Sequence, residues 1–558
     1  MRIQFWGTRG SIATPGPGTA RYGGNTSCVE VRSARGTLVV IDCGTGARPL
    51  GRRLMSGGAN GLRGKLLISH THWDYIQGIP FFEPLFARGA EWDIFGPKGL
   101  GASHDLGASQ SLGASLREAL AGQMQYDYFP VTLDECSARI RFHDLVEGSF
   151  DLDDIKVSTR YLNHPALTLA YRLEADGVTV VYASDHEPHS RTMAFGEGEL
   201  AEQDRRHAEF VEGADLLIHD AQYTAEEYPE KIGWGHSPVE YAVNLSRYAR
   251  VKRLALTHHD PLRDDGAIDR IIATIRQHAS SPDIFAAFEG QVVELGAPQG
   301  KRPARPWREF PARRWREFDA QTPVRPELGR RSVLLGIADA ESSAVLCEAL
   351  RAEGISSQIL SNLDMAGTLI AKECPVLAIL EHNPPRINGM DTCREIRRQT
   401  KDDEHRLPLL MVAEQEDQHG GDAAGIADWL IKPFTVACAR AKISAWLLRT
   451  ACQSIQTGIS AGKEHVPGAM EVHADPANAF DGTTALCPLL EKGADGQPSE
   501  TVSRSDKSDL LWMYGREIAS FDTPAFSNKV AEIIVRAATG HQRMKPSTTP
   551  PRLAGQGA

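Results

Sequence analysis

Short apolar runs alternate with glycine-rich turns and amphipathic stretches along the first 297 residues of the chain. The apolar runs predict strands, and the amphipathic stretches predict helices. These predictions include strands at 37–41, 178–182 and 214–218, and helices at 115–123 and 238–250. Strands that are apolar on both faces must be covered on both sides. The pattern therefore predicts an α/β domain over 1–297 in which helices cover the sheets.

The pattern changes three times after this domain. Residues 298–330 contain prolines, arginines and a repeated Trp-Arg-Glu-Phe, a composition typical of a semi-rigid linker. Residues 331–450 return to alternating strands and helices and predict a second α/β domain. From 451 to 558, Gly, Ser, Pro, Thr and Ala dominate, which predicts a mostly disordered tail.

Composition limits the class of protein. A net charge of −11 argues against a generally basic nucleic-acid binder. The nine cysteines include no CxxC pair, which favours reduced thiols in a cytoplasm. No apolar run approaches the roughly 18–20 residues that span a bilayer, and the chain opens directly on a predicted strand without a signal-like segment. We therefore expect a cytoplasmic protein with no membrane partner.

A cluster of metal-binding residue types follows the apolar run 66–69. His70, His72 and Asp74 supply two imidazoles and a carboxylate within five residues. Divalent cations are commonly held by such donors. The motif is short and also occurs in ordinary polar loops, so further ligands are required. His164, Asp185 and His258 each follow another short apolar run, where strand ends can bring side chains to one edge of a sheet.

Taken in order, these motifs resemble those of the metallo-β-lactamase fold, an αββα sandwich with a metal site at one sheet edge. The resemblance covers residues 1–297 and implies which residues hold metal. The implied first-metal ligands are His70, His72 and His164, the implied bridging ligand is Asp185, and the implied second-metal ligands are Asp74 and His258 with Asp185. Asp42, which ends a predicted strand, is placed to help orient the histidines.

One position departs from this family. Tyr75 stands where the family usually has a histidine ligand for the second metal. A tyrosine there either coordinates as a phenolate, which suits harder ions such as iron, or packs without coordinating. We expect Zn²⁺ as the cofactor, in one or two ions. Because of Tyr75, Mn or Fe at the second site, or weak occupancy of that site, stays open.

Further motifs resemble the phosphodiesterase branch of the fold, which includes ribonuclease Z and cyclic-phosphate phosphodiesterases. They are the openings Phe-Trp-Gly-Thr-Arg-Gly-Ser and Gly-Gly-Asn-Thr-Ser, then His-Asp-Ala-Gln at 219–222 and Gly-His-Ser at 235–237. The resemblance implies that Asp74 takes a proton from the attacking water, and that His236, oriented by Asp220, acts on the phosphate. An ordinary helix-start role for His236 is the open alternative.

The sequence indicates the substrate class less directly than the reaction class. The long arm with which ribonuclease Z grips transfer RNA is not evident after 95–99, where a threefold Leu-Gly-Ala-Ser repeat stands instead. We therefore expect a small phosphodiester, such as a cyclic nucleotide, or RNA as the substrate. The alternative is a catalytically impaired signalling or scaffold protein, for which Tyr75 is the first indication.

Residues 331–450 resemble the receiver domain of bacterial response regulators, a doubly wound (βα)5 sheet. Glu381 stands at the phospho-acceptor position, usually Asp, and Lys432 matches the conserved lysine of that family. Ile337 and Ala338 replace the two acids that hold magnesium, so the resemblance implies a domain that cannot be phosphorylated. Glu381 could instead pair with Lys432. Three roles stay open for this domain: regulation or dimerisation, binding of a signalling partner, or none, as an inert remnant.

Overall fold

The computed structural model describes residues 1–58, 61–98, 115–190, 200, 202–278, 283–296, 332–360, 365–399, 407–414 and 424–461. All of them belong to one compact unit, Met1–Pro467. Predictions for the linker at 298–330, the repeat that begins at residue 100 and the chain beyond 461 therefore lie outside the described residues.

Seven strands form the first sheet, in the order β14-β1-β2-β3-β4-β5-β6. They are β1 Arg2–Gly7, β2 Cys28–Arg32, β3 Leu38–Ile41, β4 Arg63–Leu67, β5 Glu91–Pro97, β6 Arg139–Leu145 and β14 Val292–Glu294. The pairs of β1 with β14 and β2, and of β2 with β3, are antiparallel, whereas β3 to β6 run parallel.

Seven further strands form the second sheet, in the order β13-β12-β11-β10-β9-β8-β7. They are β7 Gly148–Leu152, β8 Ile155–Tyr161, β9 Leu169–Ala175, β10 Val178–Ala183, β11 Leu216–Asp220, β12 Arg253–Thr257 and β13 Asp283–Ala286. Strands β10 to β13 are parallel, so their carboxyl ends lie at one edge of the sheet.

Helices cover the outer face of both sheets. They are α1 Ala47–Met55, α2 Trp73–Ile76, α3 Leu116–Gln123, α4 Glu202–Val211, α5 Val239–Tyr248 and α6 Asp265–His278. Short 3-10 turns lie at Pro17–Thr19, Ile79–Phe81, Glu83–Phe86, Leu133–Glu135 and Tyr228–Glu230. One apolar core joins the two sheets, and separate cores lie under the helices on each side. This four-layer arrangement confirms the predicted αββα sandwich.

A third sheet of five parallel strands follows, in the order β16-β15-β17-β18-β19. Its strands are β15 Ser332–Gly336, β16 Ser356–Ile359, β17 Leu377–His382, β18 Leu409–Ala413 and β19 Asp428–Ile431. Its helices are α7 Ala340–Ala352, α8 Ala366–Glu373, α9 Gly389–Gln399 and α10 Val436–Ala461. Helices α7 and α10 share one core, while α8 and α9 share another, so both faces are covered as predicted for a doubly wound domain. Helix α10 continues past residue 450, where the sequence placed the start of the tail.

None of the helices in the described part of the chain is long and apolar enough to cross a membrane.

Candidate metal centre

The predicted metal ligands meet at the carboxyl ends of the strands. His70 follows β4, Asp185 follows β10, and His258 follows β12. Parallel strands bring the residues after them to a common edge, so ligands that are distant in sequence become neighbours in space. His258 adopts a left-handed backbone with φ of 59°, and Gly10 lies so close that a side chain there would collide with the His258 ring.

The first cluster contains the four residues that the resemblance assigned to the first metal and its bridge. They are His70, His72, His164 and Asp185, each offering one ligand atom within 4.8 Å of the others. Nε2 of His164 lies 3.1 Å from Nδ1 of His72. Oδ2 of Asp185 lies 3.4 Å from Nε2 of His70 and 3.5 Å from Nε2 of His164.

The nitrogen atoms of this cluster suit a cation. Nδ1 of His164 donates a hydrogen bond to the carbonyl oxygen of Gly235 at 2.9 Å, which leaves a lone pair on Nε2 facing the cluster. Nε2 of His70 is buried and has no hydrogen-bond partner among the described residues. A divalent ion bound by these imidazoles and the carboxylate would satisfy both atoms, so the donor set fits the expected metal.

A second cluster shares Asp185 and adds His236 and His258. Nε2 of His258 lies 3.4 Å from Oδ1 of Asp185 and 3.2 Å from Oδ2 of Asp74, which also accepts a hydrogen bond from the Ser11 amide at 3.0 Å. Although burial opposes the charged form, Asp185 and Asp74 help to raise the pKa of His258 to about 10. The same acidic surroundings favour a bound cation.

Asp220 connects three loops of the site. Its Oδ2 accepts hydrogen bonds from the amides of His186 at 3.2 Å and Ser237 at 3.0 Å, and lies 3.2 Å from Nδ1 of His236. With Nδ1 engaged by this carboxylate, Nε2 of His236 is the nitrogen left for a substrate. Burial opposes protonation, but Asp185 and Asp220 raise the pKa of His236 above its ordinary value.

Tyr75 lies between the two clusters. Its hydroxyl donates a hydrogen bond to Oδ1 of Asp185 and contacts Ser184 Oγ. Its ring stacks on His258, with centroids 5.8 Å apart and planes 5° from parallel. Burial raises the pKa of Tyr75 well above its ordinary value, which favours the neutral phenol. This geometry supports the interpretation that Tyr75 packs and hydrogen-bonds rather than coordinating as a phenolate.

Comparison with known proteins matches the part of the chain that carries this centre to a known family. Residues 37–259 match a family model described as a beta-lactamase superfamily domain. The chain carries a metallo-β-lactamase domain. Ribonuclease Z of Shouchella clausii is 27% identical to the chain over 307 residues, covering 46% of this chain and 86% of that protein. The solved short form of human tRNase Z covers 53% of this chain and 100% of its own, at 20% identity and a TM-score of 0.35.

A receiver-like domain accompanies the metallo-β-lactamase domain. The phosphate regulon transcriptional regulatory protein PhoB of Rhizobium meliloti is 28% identical to the chain over 181 residues, covering 32% of this chain and 78% of that protein. In the receiver-like domain, Nζ of Lys432 lies 2.9 Å from Oε1 of Glu381, so the pairing that the sequence left open is present. Nζ also lies 3.2 Å from Oδ2 of Asp339, an acid that the sequence reasoning missed.

Other residues around the metallo-β-lactamase site were also missed or assigned less directly. Glu187 is buried and accepts hydrogen bonds from the amides of Gly233 at 2.7 Å and Gly235 at 2.8 Å, so it shapes the turn before His236. Asp42 was expected to orient the histidines, but it contacts His70 only through Ser69. Its Oδ1 accepts a hydrogen bond from the Ser69 amide at 2.7 Å, and Ser69 Oγ lies 3.1 Å from Nδ1 of His70.

Proposed function

We propose that the chain is a phosphodiesterase that hydrolyses a nucleotide phosphodiester, with a cyclic nucleotide or RNA as the candidate substrates. The observation that carries this proposal is the shared position of Asp185 in two ligand clusters, beside a histidine held by Asp220. Phosphodiester hydrolysis needs neutralised phosphate oxygens, an activated water and a proton for the leaving oxygen. The name ribonuclease Z, carried by relatives of this domain, supports the same reaction class.

The proposed cofactor is Zn²⁺, in one or two ions, because the donor set combines imidazole nitrogens and carboxylate oxygens. Bound ions would neutralise the phosphate charge and lower the pKa of the attacking water. We assign His70, His72, His164 and Asp185 to the first ion, and Asp185, Asp74 and His258 to the second. Manganese or iron at the second position remains part of the proposal.

Two side chains of the protein are proposed to move protons. Asp74 is buried beside His258 and is placed to accept a proton from the attacking water. His236 keeps one nitrogen on Asp220, and its other nitrogen would stabilise the phosphate or protonate the leaving oxygen. The raised pKa of His236 favours the protonated form that such a donor requires.

The rim of the centre suits a nucleobase. Trp73 follows His72 directly and is 62% exposed, and Trp234 precedes Gly235 and is 57% exposed. Nζ of Lys231 lies 4.4 Å from the centroid of the Trp234 ring, which places a positive charge beside this exposed indole. Bases stack on such exposed aromatic rings, and a cation attracts the phosphate. These features favour a nucleotide over a phosphodiester without a base.

A direct test is hydrolysis by the full chain loaded with Zn²⁺ or Mn²⁺. Cyclic nucleotides, short RNA and bis(p-nitrophenyl) phosphate would be compared, with His236→Ala and Asp74→Ala as variants. Loss of a positioned acid or base is expected to lower kcat by about 10²–10⁴-fold. Substitution of His207, a buried histidine that is not assigned to the reaction, by Gln is the control. Turnover that is equal in all these proteins would contradict the assignment.

The second candidate function is a scaffold whose metal domain has lost activity. The hydrogen bond from Tyr75 to the carboxylate shared by both clusters favours it, because that oxygen is then engaged by a phenol. Elemental analysis of purified protein separates the two functions. Protein that is free of metal, inactive on all phosphodiesters and still able to form a homodimer or bind a signalling partner would support the scaffold.

For either function, the proposed location of the protein is the cytoplasm.

A further inference from the structure

The receiver-like domain is joined to the metallo-β-lactamase domain by an ion pair that is largely shielded from solvent. Arg449 of α10 donates two hydrogen bonds to Glu147, from Nε to Oε2 at 2.9 Å and from Nη2 to Oε1 at 2.7 Å. The side chains are only 14% and 10% exposed. A bidentate, desolvated pair of this kind fixes geometry much better than an exposed one, and removing one partner is costly.

Apolar packing surrounds this pair. The Arg449 guanidinium lies 4.8 Å from the ring centroid of Trp446 on its own helix and 5.7 Å from that of Tyr161 in β8. One connected set of buried apolar side chains includes Phe150 and Tyr161 of the sandwich together with Ile443 and Trp446 of α10. The two domains therefore share a hydrophobic core, which is more typical of a permanent interface than of a transient one.

A second contact lies at the start of β19. Gln203 of α4 donates a hydrogen bond from Nε2 to the carbonyl oxygen of Ala427 at 2.6 Å. Nδ1 of His189 lies 3.8 Å from Oδ1 of Asp428, which also accepts a hydrogen bond from Lys442 at 3.0 Å. Asp428 and Gln203 are both buried. The receiver-like domain therefore contacts the segments on both sides of residues 191–199.

The first contact leads directly to one ligand loop. Oε1 of Glu147, besides pairing with Arg449, accepts a hydrogen bond from the amide of Tyr161 at 2.8 Å. Tyr161 ends β8, three residues before the candidate ligand His164. The ion pair therefore fixes the point from which this loop departs.

The second contact leads to the other ligand loop through a hydrogen-bonded chain. Asp204, next to Gln203 in α4, accepts hydrogen bonds from the His189 amide at 3.1 Å and from the Tyr241 hydroxyl at 2.8 Å. The Tyr241 oxygen lies 3.1 Å from Nε2 of His186, which follows the candidate ligand Asp185. Nδ1 of His186 in turn accepts a hydrogen bond from the Asn163 amide at 3.2 Å, so the two loops are also tied to each other.

We propose that the receiver-like domain is a fixed clamp on the hydrolase, whose contacts through Arg449 and Gln203 position the loops that carry His164 and Asp185. Strand β19 supports this role, because it begins at Asp428 on the interface and ends beside Lys432, which pairs with Glu381. The proposal rests on the metal centre of the proposed function, but not on the substrate or on turnover. Arg449, Glu147 and Gln203 are positioning residues that touch no reacting atom.

The test measures Zn²⁺ affinity of the full chain by competition with a chelator, together with hydrogen–deuterium exchange of peptides covering 161–164 and 185–190. Arg449→Glu is expected to weaken Zn²⁺ binding by about tenfold, which is the low end of the effect of mutating a residue that orients a metal ligand. It is also expected to speed exchange in both peptides. Gln203→Ala, which introduces no charge, is expected to speed exchange in the 185–190 peptide. The exchanged pair Glu147→Arg with Arg449→Glu is expected to recover part of the affinity.

Arg398→Glu is the control, since Arg398 is exposed on α9 and pairs with Glu395. Wild-type affinity and exchange in both Arg449→Glu and Gln203→Ala would overturn the clamp. Equal loss of affinity in the Arg398→Glu control would also overturn it. If the wild type binds Zn²⁺ and shows these effects but hydrolyses no phosphodiester, the clamp stands and the proposed function fails.

Discussion

The hydroxyl of Tyr75 donates a hydrogen bond to Oδ1 of Asp185, the carboxylate that belongs to both ligand clusters. A ligand oxygen that accepts a hydrogen bond from a neutral phenol is less available to a second ion. The same bond also holds Asp185 in place for the first cluster. Tyr75 therefore affects the two candidate metal positions in opposite ways.

Replacing Tyr75 by His is expected to raise the metal content of the protein from about one ion towards two. An imidazole adds a neutral nitrogen ligand and removes the phenol from Asp185. Elemental analysis after dialysis against Zn²⁺ measures the stoichiometry. Tyr75→Phe removes the hydroxyl without adding a ligand, so it should not produce the same gain. An unchanged stoichiometry in Tyr75→His would show that Tyr75 does not weaken the second position.

Removing the exposed indoles at the rim is expected to affect nucleotide substrates selectively. Trp73→Ala and Trp234→Ala should each raise KM for the p-nitrophenyl ester of thymidine 5′-phosphate, at a cost of about 1–3 kcal/mol per lost stacking contact. KM for methyl p-nitrophenyl phosphate, which has the same leaving group but no base, should change much less. Trp73→Phe keeps a ring and should retain most of the binding.

Tyr248→Ala is the matched control for these substitutions, because Tyr248 is 59% exposed at the end of α5. Its KM values for both esters should equal those of the wild type. Equal KM increases for both esters in the tryptophan variants would instead show that the indoles support the metal centre rather than bind a base.

Much of the site follows from local sequence. His70, Asp185 and His258 each come directly after a buried run, and the parallel order of β10 to β12 brings such positions together. The apolar alternation likewise predicted both α/β domains, because burial on two faces leaves a continuous apolar pattern. These features depend on neighbours in sequence, which is why they could be predicted.

The missed features depend on contacts between distant segments. Glu147 and Arg449 are 302 residues apart, and neither position differs locally from an ordinary surface charge. Glu187 acts through backbone amides of a turn more than 40 residues away. Asp339 was overlooked because the acids of the receiver family stand earlier, at the positions of Ile337 and Ala338, whereas here the residue that opens α7 reaches Lys432. No residue pattern encodes such pairings.

The receiver-like domain is expected to resist phosphorylation. Lys432 is already paired with Glu381, and Oε2 of Glu381 accepts hydrogen bonds from the amides of Ala338 at 2.8 Å and Asp339 at 3.0 Å. A carboxylate occupied in this way is poorly placed to attack a phosphoryl group. Incubation with acetyl phosphate and Mg²⁺, followed by intact mass measurement, should show no added phosphate. Phosphate located on Glu381 or Asp339 by peptide mapping would contradict this prediction.

Asp428 is expected to lower the free energy of unfolding of the chain as the pH falls into the acid range. The carboxylate is buried, which raises its pKa, but Lys442 and the Trp446 indole, whose Nε1 donates at 3.0 Å, outweigh burial and hold the pKa well below the ordinary 3.8. A lowered pKa stabilises the folded state above 3.8, and this stabilisation is lost as the pH falls below 3.8 towards the folded value. His189 also faces the group, and burial lowers the pKa of that imidazole to about 3.

The free energy of urea unfolding of the full chain, compared at pH 7 and pH 3, measures this effect. Asp428→Ala should cost about 3–5 kcal/mol at pH 7, because Lys442, whose side chain is only 13% exposed, loses this carboxylate. The difference from the wild type should shrink at pH 3, by up to about 1.4 kcal/mol for each pH unit below 3.8. Asp391→Ala, which removes the exposed partner of Arg394, should change stability by less than about 1 kcal/mol at either pH. A cost for Asp428→Ala that is the same at both pH values would mean that the Asp428 carboxylate does not titrate with unfolding, and that its contribution is packing alone.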